Sequence, residues 1–389
     1  MASVVSSPSE AVVSATDISA LYSTHLGVDI APSDIYELPA SSQGEFNKIY
    51  RVSHSSTRSF LRISKPLIPH RKTQNEVASL ALVHQRLPPS LAALCPKVLA
   101  YDDASDMEWT ILSEVPGVPI LEIFDAENEQ HVGAVVRTII DLQNALWETC
   151  RMQHLGGLRL EQDTGAVLPG PMVTYDMWDV QKLKHIGPDA TFEEWNPTGP
   201  FDTEMAYISA RLQRDLRIVQ TQPSCAPLRG DGDGKSFAQA LDAAIRALEQ
   251  RTLLSPGFAL SHRDLHLGNF LGMKENDGSI RVTGIIDWEL AQCVPLDKWE
   301  PFNTLWHPKQ PEYTDALRSR LFAELNATSG VYSRPSSDTP GVDAEREAWW
   351  SLMSLSYWIV YRTVNPEEET RMSQWMEKFW KIITELRVL

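Results

Sequence analysis

The chain has 389 residues, 43% of them hydrophobic and 22% charged, which is enough for two domains or one large two-lobed unit with a substantial core. Its 51 acidic residues against 35 basic ones give a net charge of −16 with no basic cluster. This argues against nucleic-acid binding, which needs Lys and Arg gathered against phosphates.

In chain order, residues 1–15 are rich in Ser, Ala and Val and read as loose, and 17–26 predict a short helix capped by Thr16 or Asp17. The texture turns β-like from Ile35. A turn-rich loop, Ser41-Ser42-Gln43-Gly44-Glu45-Phe46-Asn47, leads into two alternating stretches, 48–52 and 60–63, with a hairpin turn between them over 54–59. At 73–87 the period becomes helical: Val77, Leu80, Val83, His84 and Leu87 share one face, and Thr73 with Glu76 predicts a capping box. Pro88-Pro89 stops this helix, and 97–101 and 109–114 read as two further strands.

After Pro116-Gly117 the chain becomes largely helical, with a long helical period over 126–153. Residues 156–235 are irregular, with a hairpin expected over 158–173, a helix over 203–219 and a flexible tract over 222–234. A helix over 237–253 follows, then a strand at 258–261 and two more at 280–283 and 284–287; from Tyr313 the tail reads as mostly helix, broken over 326–341. The expected organisation is an extension with a helix over 1–34, a small lobe over 35–117 and a larger lobe over 118–389, the last carrying an insertion over about 156–235.

The four cysteines, Cys95, Cys150, Cys225 and Cys293, form no CxxC pair and read as reduced thiols of an intracellular protein. With Glu10 and Asp17, no basic start and no apolar run, the N-terminal segment does not read as a signal peptide. No apolar stretch approaches the roughly 20 residues that span a bilayer. A cytoplasmic protein without membrane partners is expected.

The strongest pattern is Ser261-His262-Arg263-Asp264-Leu265-His266-Leu267-Gly268-Asn269-Phe270, followed by Gly284-Ile285-Ile286-Asp287-Trp288-Glu289. Phosphoryl transfer asks for such an arrangement: one carboxylate to orient an acceptor hydroxyl and receive its proton, and a second carboxylate with an amide to hold magnesium by hard oxygens. A loop with Asp and Asn on either side of one turn, beside a strand ending in Asp, supplies all three. His262 and His266 are four apart, but no third zinc ligand stands at suitable spacing.

This block resembles the signature of the aminoglycoside phosphotransferase family of small-molecule kinases, in the wording often seen in fungal members. The resemblance implies a bilobal, α+β, protein-kinase-like fold: a small antiparallel sheet with one helix, and a larger, mainly helical C-terminal lobe. It also implies an ATP-dependent enzyme with Asp264 as catalytic base, Asn269 and Asp287 as magnesium ligands and His262 as the structural histidine of the loop. A kinase further needs a loop over the phosphates, a cation on the third strand and a helix carboxylate paired with it. Residues 41–47, with Gly44 and Asn47, fit the loop; Arg62 stands where the usual residue is Lys, and Glu76 opens the next helix. By the same resemblance the adenine meets backbone groups near Glu114 and Val115.

Two look-alikes fall away. Gly230-Asp231-Gly232-Asp233-Gly234-Lys235-Ser236 ends like a Walker loop, but the position of Arg229 requires Gly and two carboxylates would repel phosphate. Asp231 and Asp233 also suggest a calcium loop, whose later ligands are missing. Arg263 completes an His-Arg-Asp triplet, yet no activation segment or Ala-Pro-Glu follows Asp287, so Arg263 reads as structural and no protein substrate is expected. The acceptor is expected to be a small molecule. Glu193, Glu194, Trp195, Asp202, Glu204 and the segment 299–306 stand as candidate contacts and would suit an amine-bearing hydroxy compound. Two competing readings keep the fold: a catalytically silent nucleotide-binding protein, and a biosynthetic enzyme making a different bond.

Overall fold

The structure is a computed structural model that describes residues 13–295, except 45, 56, 66–67, 69, 106, 175, 231–234 and 252–256, together with 298, 320–321, 323–324, 327, 342–365 and 371–389. The first described helix, α1 (Ala15–Leu26), is capped by Ser14 rather than by Thr16 or Asp17: Ser14 accepts from the Asp17 amide at 3.2 Å and the Asp17 carboxylate returns a bond to the Ser14 amide at 2.9 Å. Asp17 therefore serves as the acidic half of the box.

Five antiparallel strands build the small lobe: β1 (Ile35–Glu37), β2 (Asn47–His54), β3 (Thr57–Ser64), β4 (Val98–Asp102) and β5 (Trp109–Ser113), in the order β1-β2-β3-β5-β4. Residues 55 and 56 alone separate β2 from β3, so the hairpin is tighter than expected, with Ser55 at positive φ. Tyr50, Val52, Leu61, Ile63, Trp109 and Ile111 close over Ile18 and Tyr22 of α1 in a core of their own. The Tyr22 hydroxyl bonds that of Ser59 at 2.7 Å.

The helix between β3 and β4, α2 (Arg71–Arg86), starts two residues before Thr73, and its first turn has no side-chain cap. Thr73 is buried inside it and Glu76 turns to Arg62 instead, so the expected capping box is absent. Polar side chains on one face of α2 are buried against the turn after Asp287, while Leu80 and Val83 join the main core. The helix is thus enclosed by both lobes, which its single apolar face did not predict.

Helices make most of the larger lobe: α3 (Glu129–Thr149), α4 (Glu204–Thr221), α5 (Phe237–Glu249), α6 (Val342–Val364) and α7 (Met372–Glu385). Asn128 caps α3, Thr203 caps α4 and Ser236 caps α5. Three small sheets accompany them. β6 (Val118–Pro119) pairs with β11 (Phe270–Lys274), which pairs with β12 (Ile280–Ile285); β7 (Arg151–Met152) and β13 (Gln292–Pro295) flank β10 (Phe258–Ser261); β8 (Gly157–Leu160) pairs with β9 (Val167–Gly170). The stretch expected as two strands over 280–287 is the single strand β12. It forms a hairpin with β11 around Gly278 and stops where Asp287 enters the left-handed region at φ 69°. Small sheet, single helix and larger helical lobe agree with the protein-kinase-like fold anticipated from the motif.

Candidate active site

The loop between β10 and β11 carries the Asp/Asn pair. Asp264 and Asn269 are both nearly buried, and Asn269 Nδ2 donates to the Asp264 carbonyl at 2.8 Å and to its Oδ2 at 3.2 Å. The turn thus fixes the side-chain amide by its nitrogen and leaves the carbonyl oxygen as the atom that can meet a cation. Next to it, the Ile286 amide donates to the Asn269 carbonyl at 2.9 Å, so Asp287 follows directly on a residue bonded to the loop. Asp264 and Asn269 are thus joined side chain to side chain, and Asp287 is tied to the loop through the backbone of the residue before it.

His262 is fully buried and supports this loop. Its Nε2 lies 2.9 Å from the Ile286 carbonyl, and its ring centroid is 4.6 Å from that of Trp288. Burial pulls its pKa down to about 4, so the imidazole is neutral and bridges the two motif segments as a hydrogen-bonded strut. Arg263, at φ 67°, turns the other way and donates to the Lys298 carbonyl at 2.7 Å. His266 accepts from the Gly268 amide at 3.0 Å, closing the turn.

Behind Asp287 lies a buried ionic cluster. Arg62 on β3 donates to Glu76 of α2, to Asp287 Oδ1 at 2.7 Å and to Glu289 Oε2 at 2.8 Å. Lys72 Nζ donates to the same Glu289 oxygen at 2.8 Å and to Asn47 Oδ1 at 2.8 Å, and Asn47 Nδ2 also reaches Glu289 Oε2 at 2.8 Å. Asn75 of α2 clamps the backbone beyond, donating to the carbonyls of Glu289 at 3.0 Å and Ala291 at 2.6 Å. Desolvation lifts Glu76 to about 7 against the pull of Arg62. Desolvation, then the charge of Glu289, raises Asp287 as well. Burial would also raise Glu289, but Lys72 and then Arg62 hold it below the ordinary range.

The sequence placed Arg62, Glu76 and Asp287 at this site but missed Lys72, Asn75 and the role of Glu289. Glu289 closes the Asp-Trp-Glu motif, which was its only signal; Lys72 lies before the helix expected from Thr73, and nothing in its own window marks it. Asn47, expected at the end of the loop, is the first residue of β2. It faces into the cluster. Gly44 takes φ 68° in the preceding turn, while Glu45 lies outside the described residues.

At the crossing between lobes, the Glu114 amide donates to the Arg58 carbonyl at 3.1 Å and its carboxylate faces Arg58 at 3.7 Å. The Glu114 carbonyl and the amide of buried Val115 are then the groups of this stretch able to meet a purine. Gly117 follows at φ 127°, packed against Thr283 and Gly272.

The candidate acceptor contacts are otherwise engaged. Glu193 pairs with Arg71 at 3.4 Å, Glu194 pairs with Arg217, and buried Trp195 lies under the Arg217 guanidinium, 4.2 Å from its ring centroid. Glu204 is buried in a two-point pair with Arg346, at 2.7 and 2.9 Å. Asp202 is exposed, and 299–306 and the Walker-like 231–234 lie outside the described residues. Instead, a cavity of about 580 Å³ opens beside the loop, with Arg263, Asp176, Tyr207, Gln292, Lys298 and Trp350 in its wall.

Magnesium fits the donor set here. Among the described residues no group of three His, Cys, Asp or Glu is placed to hold a metal. A cation that takes one carboxylate, one amide oxygen and phosphate oxygens needs no such cage.

A two-lobed fold with an Asp/Asn loop, a strand-end Asp and a buried cation–glutamate pair defines a phosphotransferase of the kinase-like class. The family model of the phosphotransferase enzyme family, APH, matches residues 38–296, and the chain belongs to that family. No curated protein matches the sequence. Solved structures to which the chain is similar include the ternary complex of a thermostable aminoglycoside phosphotransferase APH(4)-Ia mutant with ADP and hygromycin B. It is 17% identical with a TM-score of 0.49, covering 94% of this chain and 98% of its own. Another is the ethanolamine kinase of Plasmodium vivax, 9% identical with a TM-score of 0.41, covering 93% of this chain and 86% of its own. The fungal cast of the motif wording finds no support among these matches.

Proposed function

We propose that the chain transfers the γ-phosphoryl group of ATP to a hydroxyl of a small molecule. The observation that carries this reading is the Asn269 side chain bonded to Asp264, in a loop whose Asn269 carbonyl accepts from the Ile286 amide just before Asp287.

Asp264 orients the acceptor hydroxyl and takes its proton as the oxygen attacks the γ-phosphorus; the bond from that phosphorus to the β-bridging oxygen breaks, and ADP leaves. Asn269 Oδ1 and the Asp287 carboxylate would hold magnesium, which supplies charge neutralisation to the triphosphate when bound. Arg62, steadied by Glu76, meets the phosphates, and the Glu114–Val115 backbone meets the adenine. An arginine in this place keeps the charge and adds a planar fork. The acceptor enters from the cavity walled by Arg263, the residue before Asp264; its volume suits a molecule of drug or metabolite size. Charges of both signs line it, so its wall gives no preference for an amine over a neutral polyol.

The test is thermal stabilisation by magnesium-ATP, then transfer assays on a panel of aminoglycosides, amino alcohols and sugars, with product masses. Stabilisation and a mass gain of one phosphoryl group are expected. Absence of both across the panel sinks the reading, and a product joined by another bond would favour a biosynthetic role.

A further inference from the structure

Arg62 is one cation facing three carboxylates, those of Glu76, Asp287 and Glu289. A guanidinium so engaged has little field left for a triphosphate, which it must also attract. The second positive charge comes from Lys72 in the first turn of α2, whose side chain is only 2% exposed. Its ammonium meets Glu289 Oε2 at 2.8 Å, the oxygen that Arg62 also holds, and Asn47 closes the triangle. Burying an ammonium is costly, and apolar residues of similar volume commonly stabilise such a spot as well or better. Packing therefore gives no reason for a lysine here; the charge of Glu289 does.

We propose that Lys72 is a positioning residue for phosphoryl transfer: by neutralising Glu289 from the helix side, it lets Arg62 turn from Asp287 and Glu289 toward the phosphates when nucleotide binds. The cationic duty of the small lobe is divided between a strand arginine that meets the nucleotide and a helix lysine that keeps the arginine available. This rests on the reading of the site given under the proposed function.

The experiment compares the wild-type chain with Lys72→Met, Glu289→Gln and the double variant, measuring KM for magnesium-ATP, kcat and stabilisation by magnesium-ADP. Lys72→Met is expected to raise KM by about tenfold or more while kcat changes less, because unpaired Glu289 then holds Arg62. Glu289→Gln keeps the shape and removes the competing charge, so its KM should stay at or below the wild-type value. The double variant should regain most of what Lys72→Met loses. A merely structural role would lower unfolding stability while leaving the KM of Lys72→Met at the wild-type value, and that result overturns the proposal, as does a raised KM that the double variant fails to recover. Should Lys72→Met fail to fold, Glu289→Gln decides alone: a raised KM overturns the proposal and an equal or lower one supports it. A wild-type chain that neither binds nor uses ATP brings down the underlying reading and Lys72 with it, whereas uniform losses in an active enzyme bring down Lys72 alone.

Discussion

Arg62 Nη2 stands 2.7 Å from Asp287 Oδ1, so the small-lobe cation and the carboxylate proposed for magnesium hold each other directly. On the proposed reading Asp264 meets the acceptor and Asp287 the metal-bound nucleotide, so the two acidic residues of the motif fall in separate experimental classes. Asp264→Ala is expected to lower transfer by about 10²- to 10⁴-fold while magnesium-ADP still stabilises the fold. Asp287→Ala should lose the stabilisation itself. Wild-type behaviour in both variants would remove the assignment.

Arg62→Met should be destabilising by about 3 to 5 kcal/mol, because it strands buried Glu76 and leaves Glu289 to Lys72 and Asn47 alone. Urea unfolding at neutral pH measures this. A loss below about 1 kcal/mol would mean that the pairs contribute little to the fold.

His262 predicts an acid limb. Its pKa lies at about 4 when folded against an ordinary 6.5, so the native state resists protonation more than the unfolded chain does. The stability tied to the neutral ring is complete above pH 6.5 and fades as the pH falls toward 4, by on the order of 3 kcal/mol in all. A His262→Gln variant starts lower but should show a flatter stability profile across that window. Parallel profiles for the two proteins would contradict the buried neutral ring.

Gly117→Ala tests the crossing between lobes. A Cβ there would sit 2.5 Å from Thr283 Oγ1 and 2.9 Å from the Gly272 carbonyl, at a φ of 127° that side chains avoid. A loss of about 1 to 3 kcal/mol is expected in thermal or urea unfolding. An unaffected variant would show that the backbone here rearranges freely.

The chemistry-bearing loop was legible because its residues lie close in sequence and each type answers a demand of phosphoryl transfer. Strands β2 and β3 were legible from alternation bounded by turns, and β4 and β5 as short strand-like runs around the turn at 102–106. The ionic cluster was not, because Asn47, Lys72 and Glu289 are brought together only by the tertiary fold and none is unusual in its own window. The capping box at Thr73 misled for a related reason: Glu76 satisfied a local pattern while its real partner lay 14 residues earlier on β3. β11 begins on the last residue of the motif, and Phe270-Leu271-Gly272-Met273-Lys274 has no alternation of apolar and polar residues to announce a strand.

The pair formed by Glu204 and Arg346, with the Trp350 indole donating to the same carboxylate at 2.8 Å, bears on how the protein can be dissected. Ser356 of α6 likewise donates to buried Asp215 at 2.7 Å. A recombinant fragment trimmed to the span shared with the family would leave both acids without these partners, in an interior stripped of Trp349 and Phe379. Such a fragment should emerge as aggregate rather than enzyme, so crystallisation and binding work need the C-terminal helices retained.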